Sequence, residues 1–239
     1  MLTAYQNAVN NLLQSPQQPQ NLVPTASLTG YINQARQYVA AEAECIAVYG
    51  SLSLIANQRT YGFSAITFGS QTGVSAVNAA RTLWYQPPGT EGQTWVTPRS
   101  FEWFGYYRLN NPVPKTGYPT EWAQLGQGQS GTIFIDPLPD MPYVCPIEIV
   151  AAPIPLVDDT TAEAIPELWQ NAVPFYAAWL AFMNLLRQAD ADNMLKNYDT
   201  MMARSRRSAT SAVLSQNYSQ VPDAVMDNRL GASNKNQSQ

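Results

Sequence analysis

The stretch TIFIDPLPDMPYVCPIEIV, Thr132 to Val150, decides how the chain is read. Alternation puts Ile133 and Ile135 on one face and Phe134 on the other, and a second apolar run follows from Tyr143 to Val150. Between them lies the proline-rich segment Asp136 to Pro142. Proline lacks a backbone donor and restricts the residue before it, so this segment predicts a reversal between two antiparallel strands. Its length is greater than that of a tight two-residue hairpin. Upstream, short apolar runs broken by Gly and Pro continue back to about Tyr49, with Ala65 to Phe68 a further strand candidate, and the pattern ends downstream at about Pro155.

On both sides the period changes from two to that of a helix. Leu2, Tyr5, Val9, Leu12 and Leu13 mark a short amphipathic helix that stops before Pro16, and the Gln- and Pro-rich residues up to Thr25 form an extended connector. A second helix is predicted from Leu28 to Val48, with Ser27 as its cap and a stripe of Tyr31, Ile32, Ala35, Val39, Ala43 and Ile46. Helical character returns near Ala162 and runs, with one break, to about Leu214. Pro166 suits a first turn, while Pro174 predicts a kink or boundary. Leu168 to Leu186 carries no charge, but Gln170, Asn171, Pro174 and Asn184 interrupt it, so it reads as a buried bundle helix and no membrane insertion is expected. Arg187 to Asp192 reads as a helix junction capped by Asp190 and Asp192, before a helix bearing Met194, Leu195, Tyr198 and Met202. That helix is expected to finish at Arg204, Arg206 and Arg207, where positive charge complements the dipole.

The fold class is therefore α+β: a discontinuous helical core (1–48 and 162–214), a β-rich insertion (49–161) and an extended C-terminal arm (215–239). The arm is dominated by Ser, Asn and Gln, with isolated anchors at Tyr218, Val221, Val225, Met226 and Leu230, and with Arg229 beside them. Such a segment is expected to gain order against a partner. Arg204, Arg206 and Arg207 join these residues as the candidate partner-binding set, suited to an acidic surface.

Apolar residues make up 45% of the 239, whereas Asp, Glu, Lys and Arg supply only 13%, about half the usual share. Gln, Asn, Thr, Ser, Tyr and Pro take their place, and these bond to a neighbouring protein without the desolvation cost of an ion. A net charge of −4 argues against coating nucleic acid as the main task. The chain has no histidine, which excludes Ser-His-Asp and Cys-His catalysis and imidazole metal sites. Cys45 and Cys145 form no metal or redox motif, and their separation leaves open two thiols or one long bridge. Asp158 with Asp159, and Asp190 with Asp192, are carboxylate pairs that could in principle hold a cation, but each lies beside a predicted helix start and reads as a cap. The clusters Gly69 to Gly73, Gly89 to Gly92 and Gly126 to Gly131 lack the lysine of a phosphate-binding loop and read as turns. Trp84, Tyr85, Trp95, Phe101, Trp103, Phe104, Tyr106, Tyr107, Tyr118 and Trp122 crowd the β-rich region, some as core and others as candidate protein or sugar contacts. No enzyme activity, metal or cofactor is expected.

In chain order, Leu28 to Cys45, Trp84 to Pro87, Ser100 to Tyr107, Tyr118 to Gly126, Ile133 to Pro139, Ile165 to Leu168, Ala172 to Ala178 and Ala189 to Leu195 resemble the head-to-tail adaptor (neck, or head-completion) proteins of tailed bacteriophages. The likeness covers most of residues 28 to 208. It implies a helical core with an inserted β region and a ring of twelve copies on the portal protein. It also implies contacts to a tail tube, nozzle or second adaptor, and proximity to passing DNA. Location at the head-tail interface of the virion, after assembly in the host cytoplasm, follows from the same resemblance. The long polar C-terminal segment departs from the more compact adaptors. The alternative expectation is a carbohydrate-binding virion module that uses the aromatic β region.

Overall fold

The computed structural model describes residues 1–13, 22–69, 73–106 and 115–218, with side chains described through residue 209. Helix α1 spans Leu2–Leu12 and α2 spans Thr25–Ala43. The strands follow: β1 Ala47–Leu54, β2 Thr60–Gly62, β3 Ile66–Phe68, β4 Val74–Tyr85 and β5 Thr94–Arg99. After the short helix α3, Phe101–Phe104, come β6 Thr116–Gly117, β7 Glu121–Leu125, β8 Thr132–Asp136, β9 Leu138–Pro139 and β10 Tyr143–Pro153. Helices α4 (Glu167–Gln170), α5 (Val173–Asn184) and α6 (Gln188–Tyr218) close the described chain. The architecture is α+β, with N- and C-terminal helices flanking a nearly closed sheet.

The sheet has eight strands in the order β2-β8-β7-β5-β4-β10-β1-β3. Its two edge strands, β2 and β3, are consecutive in sequence and joined by the 3-10 turn Phe63–Ala65, so the ends of the sheet are tied together covalently. Gly131 permits this closure. Its carbonyl accepts from the Phe63 amide, and a Cβ there would sit 2.3 Å from the Phe63 ring. Strand β4 pairs with β10 through three irregularities at which Ser75, Asn78 and Arg81 are extra residues. Bulges of this kind add twist, which bends a long strand around a curved sheet.

Three sequence expectations change in the sheet and in α2. Strands β8 and β10 are not a hairpin: β8 pairs with β7 and β2, whereas β10 pairs with β4 and β1, and Asp136 to Pro142 crosses between them by way of β9. Helix α2 ends at Ala43 rather than Val48, because Glu44 adopts a left-handed conformation (φ 47°) and redirects the chain into β1. Ile46 and Val48 are buried while Ala47 and Tyr49 are exposed, so these apolar residues follow a strand period. The same helix starts at Thr25 after Pro24, which places Ser27 inside it rather than at its cap.

The C-terminal helices are broken twice, at Asn171–Ala172 and at Leu185–Arg187. Pro174 lies in the first turn of α5, where its missing donor is harmless. Helix α6 continues to Tyr218, through the first residues assigned to the arm, so Arg204, Arg206 and Arg207 are interior to it and do not close its end. Asp190 and Asp192 likewise lie within its first turns, bonded to Arg187 and Gln188. Among the described residues no helix is long and apolar enough to cross a membrane.

The helices and the inner face of the sheet share one apolar cluster, which includes Val9, Ile32, Val39, Leu52, Leu83, Ile147, Ala177 and Phe182. A strap, residues 154–165, laces the two layers. The Asn33 amide donates to the Leu156 carbonyl and accepts from the Leu156 amide, as a neighbouring strand would. Arg36, with no exposed surface, donates to the Ile154 carbonyl at 2.7 Å and pairs with Glu163 at 2.7 Å.

Candidate interaction surfaces

Three surfaces emerge from these elements. The first lies along α6. Tyr198 packs against Tyr38 and Tyr176, and Tyr38 stacks on Tyr176 with ring centroids 4.3 Å apart. The Tyr198 hydroxyl donates to Glu42 at 2.5 Å, and Arg206 bonds the other Glu42 oxygen at 2.6 Å. Burial followed by the Glu42 hydrogen bond pushes the Tyr198 phenol far above its ordinary value, so it stays a donor. Arg206 therefore holds α6 against α2 at the same time as it faces solvent. Arg204 and Arg207 are exposed on the opposite side from buried Tyr198, Met202 and Ser205, as helical spacing requires. The Ser205 hydroxyl donates to the Leu168 carbonyl, at the first turn of α4. Ala209, one turn further on, still packs against the shared core, and α6 continues to Tyr218, roughly 14 Å beyond it at 1.5 Å per residue. The Tyr218 side chain is not among those described, and Val221, Val225, Met226, Arg229 and Leu230 lie outside the described residues.

The second surface is the outer face of the sheet. Register places Trp84 opposite Trp95, and their rings lie 5.0 Å apart; Tyr49 meets Trp84 edge-on at 5.9 Å. Tyr49 (66%), Trp95 (60%) and Val144 (69%) are largely exposed. Of the aromatic residues singled out in the sequence, Tyr85, Phe104 and Trp122 belong to the core instead, and Tyr107 lies outside the described residues. Tyr49 and Val144 escaped sequence reasoning, although each sits in an alternating run that assigns its face. Arg99, at the end of β5, covers the Trp103 ring at 4.8 Å and pairs with Glu121.

The third is a hollow of about 490 Å³ where β3 and the start of β4 meet the 3-10 turns Phe63–Ala65 and Gly128–Ser130, lined by Phe63, Ile66, Phe68 and Val77 with Ser64, Ser75 and Gln129 among its polar residues.

The residues weighed for chemistry have structural roles. Asp159 accepts from the Thr3 amide at 2.8 Å, from the Thr3 hydroxyl and from the Met1 amine, and so caps α1 from a distant part of the chain. Asp158 orders its own turn by accepting from the amides and hydroxyls of Thr160 and Thr161. Both carboxyls are held below their usual range by these hydrogen bonds. Cys45 and Cys145 are free thiols, and burial pushes them up to about 11 and about 12. No group of three or more His, Cys, Asp or Glu side chains arranged to hold a metal occurs among the described residues. Gly126 to Gly131 forms a turn, with Gly126 and Gly128 at positive φ. The sequence matches no protein-family model, and no curated protein matches it.

Proposed function

We infer that this chain is a non-catalytic structural adaptor of a tailed bacteriophage, twelve copies of which form a ring joining the portal protein to a tail tube, nozzle or second adaptor at the head-tail interface. The observation that carries this reading is α6: a helix of 31 residues that packs through Tyr198, Met202 and Ser205 and turns Arg204 and Arg207 outward offers a long, positively charged edge to a neighbour. Exposed arginines on a rigid helix suit an acidic protein surface or the phosphates of DNA passing through the ring. The aromatic outer face of the sheet, where Tyr49, Trp84 and Trp95 lie beside Glu148, supplies a second contact, since large apolar residues on a rigid strand anchor interfaces at low entropic cost. The test is reconstruction of purified particles with this chain traced in the density. Twelve copies at the neck are expected; recovery of the chain only from a fibre or from host cytosol overturns the reading.

The Tyr49–Trp84–Trp95 cluster also favours a second reading, a carbohydrate-binding virion module, because exposed rings pack on the apolar faces of sugars. Saturable glycan binding by the isolated monomer, abolished by Trp95→Ala and unaccompanied by ring assembly, would select that alternative.

A further inference from the structure

The chain holds 17 Asp and Glu against 13 Lys and Arg, so a cation without a partner runs against its composition. Arg36, Arg59, Arg81, Arg99, Arg187 and Arg206 each bond a carboxylate of the same chain. Among the described residues, Lys196, Arg204 and Arg207 have no such bond, and all three are exposed on α6. Their spacing sets them on one stripe with Thr200, opposite buried Tyr198, Met202 and Ser205. Asp192 and Asp199 fall outside that stripe, in the row along the flank that continues to Arg206.

This segment is fixed before any partner arrives. Ser205 is tied to the Leu168 carbonyl and Arg206 to Glu42, which holds in place the backbone between Arg204 and Arg207. What surrounds the cations selects their partner. Asn193, Asn197, Thr200 and Ala203 are their exposed neighbours, short and uncharged, and no large apolar side chain stands among them. A protein interface draws its strength from desolvated aromatic or aliphatic anchors, which this stripe lacks. Contacts to phosphate need none, because arginine and lysine supply the charge while Asn and Thr supply further donors. From Lys196 to Arg207 the helix rises roughly 16 Å. Over such a span one strand of a duplex presents a phosphate about every 3.4 Å, so all three cations find one wherever the helix lies along it.

We propose that the stripe of Lys196, Arg204 and Arg207 binds the phosphate backbone of double-stranded nucleic acid without reading its sequence. The surplus of carboxylates elsewhere repels a duplex, so the contact is confined to this edge and the chain does not coat nucleic acid. The proposal rests on the adaptor reading for its setting. Three phosphate contacts are weak in a single copy, and copies arrayed around one duplex sum them.

The purified full chain is titrated into fluorescein-labelled DNA duplexes of two unrelated sequences across a series of salt concentrations, with labelled poly-L-glutamate as the competing polyanion. Both duplexes should bind equally, and log affinity should fall against log salt with a slope of about −2.7, roughly 0.9 for each of three phosphates. Arg204→Gln combined with Arg207→Gln should bring the slope to about −0.9 and weaken binding at low salt roughly tenfold or more. Lysine at both positions should keep the slope, since a point charge suffices for phosphate. Arg81→Gln, which removes a paired arginine elsewhere, should leave it unchanged. The unfolding midpoint of the double glutamine variant should stay within about 2 °C of wild type, because neither arginine bonds its own fold. Absence of duplex binding at the lowest salt, or a double variant that loses no more than Arg81→Gln, overturns the phosphate contact. Tighter binding of poly-L-glutamate overturns it too and assigns the stripe to an acidic protein. Each of these results leaves twelve copies at the neck untouched, whereas absence of the chain from the neck of purified particles overturns the adaptor reading and removes the setting of the contact.

Discussion

Arg36 carries a full charge into a site with no solvent exposure, a transfer that costs several kcal/mol unless partners replace the lost water. Glu163, the Ile154 carbonyl and Asn33 do so. Removing the guanidinium strands the Glu163 carboxylate, itself nearly buried, so Arg36→Ala should lower unfolding free energy by about 3–5 kcal/mol in urea denaturation. A loss below about 1 kcal/mol would remove Arg36 from that position. The pair Arg36→Met with Glu163→Leu should recover much of the loss, because an apolar replacement leaves no orphaned charge. Arg36 was missed in the sequence, which assigned the stripe to Tyr31, Ile32, Ala35, Val39, Ala43 and Ile46, although Leu28, Ile32, Arg36 and Ala40 recur at four-residue intervals on one buried face. Its partner was missed as well, because Glu163 is far away in sequence. Gly131 is a second residue-scale test: Gly131→Ala drives a methyl into the Phe63 ring and should cost about 1–3 kcal/mol.

At the scale of elements, period identified the long helices and three of the ten described strands, β3, β8 and β10, while the long bulged β4 and the pairing escaped. Residues Ile133 and Ile135 are both buried with Phe134 less so, as alternation requires, yet proximity in sequence suggested the wrong partner for β8. Strand pairing is fixed by which faces bury together, and no local pattern carries that information. The junction of α2 with β1 was misplaced for a related reason: Ile46 fits a helical stripe and a strand alternation equally well, and the left-handed Glu44 decides between them. Helix α1 was legible, but its cap was not, because Asp159 comes from the strap. Hydrogen bonds from the Met1 amine and Thr3 hold the Asp159 carboxyl below its ordinary value, so folding favours the carboxylate. The cap's contribution is complete above the unfolded-state pKa of about 3.9 and is lost as pH falls below it and through the depressed folded value. Asp159→Asn should therefore lower the urea midpoint at pH 7, and its difference from wild type should shrink below about pH 3.9. A difference independent of pH down to 2 would contradict the cap. Trp179 lies within the Leu168 to Leu186 stretch read from the sequence as a buried helix, yet it is only partly buried, so Trp179→Ala should cost less than the roughly 3–5 kcal/mol of a fully enclosed ring.

At the scale of the molecule, the sequence divides into helical ends and a β-rich middle, and this suggests an insertion that could melt by itself. The packing argues otherwise. Val39 of α2, Ile147 of β10, Leu83 of β4 and Ala177 of α5 are all fully enclosed in one cluster, and the strap fastens the sheet to α1 and α2 through Asn33, Arg36 and Asp159. Neither layer can separate without exposing the shared apolar surface and stranding the Arg36–Glu163 pair, so an intermediate with only one layer folded is costly. Trp122 lies in the sheet and Trp169 against the helices, which gives each layer a fluorescent reporter. Urea unfolding followed by tryptophan emission and by far-ultraviolet circular dichroism should give one midpoint and one slope. Leu83→Ala, a cavity within the sheet, should cost about 2–5 kcal/mol and shift both signals together. Separate midpoints, with the helical signal surviving Leu83→Ala unchanged, would show that the β-rich region folds apart from the helices.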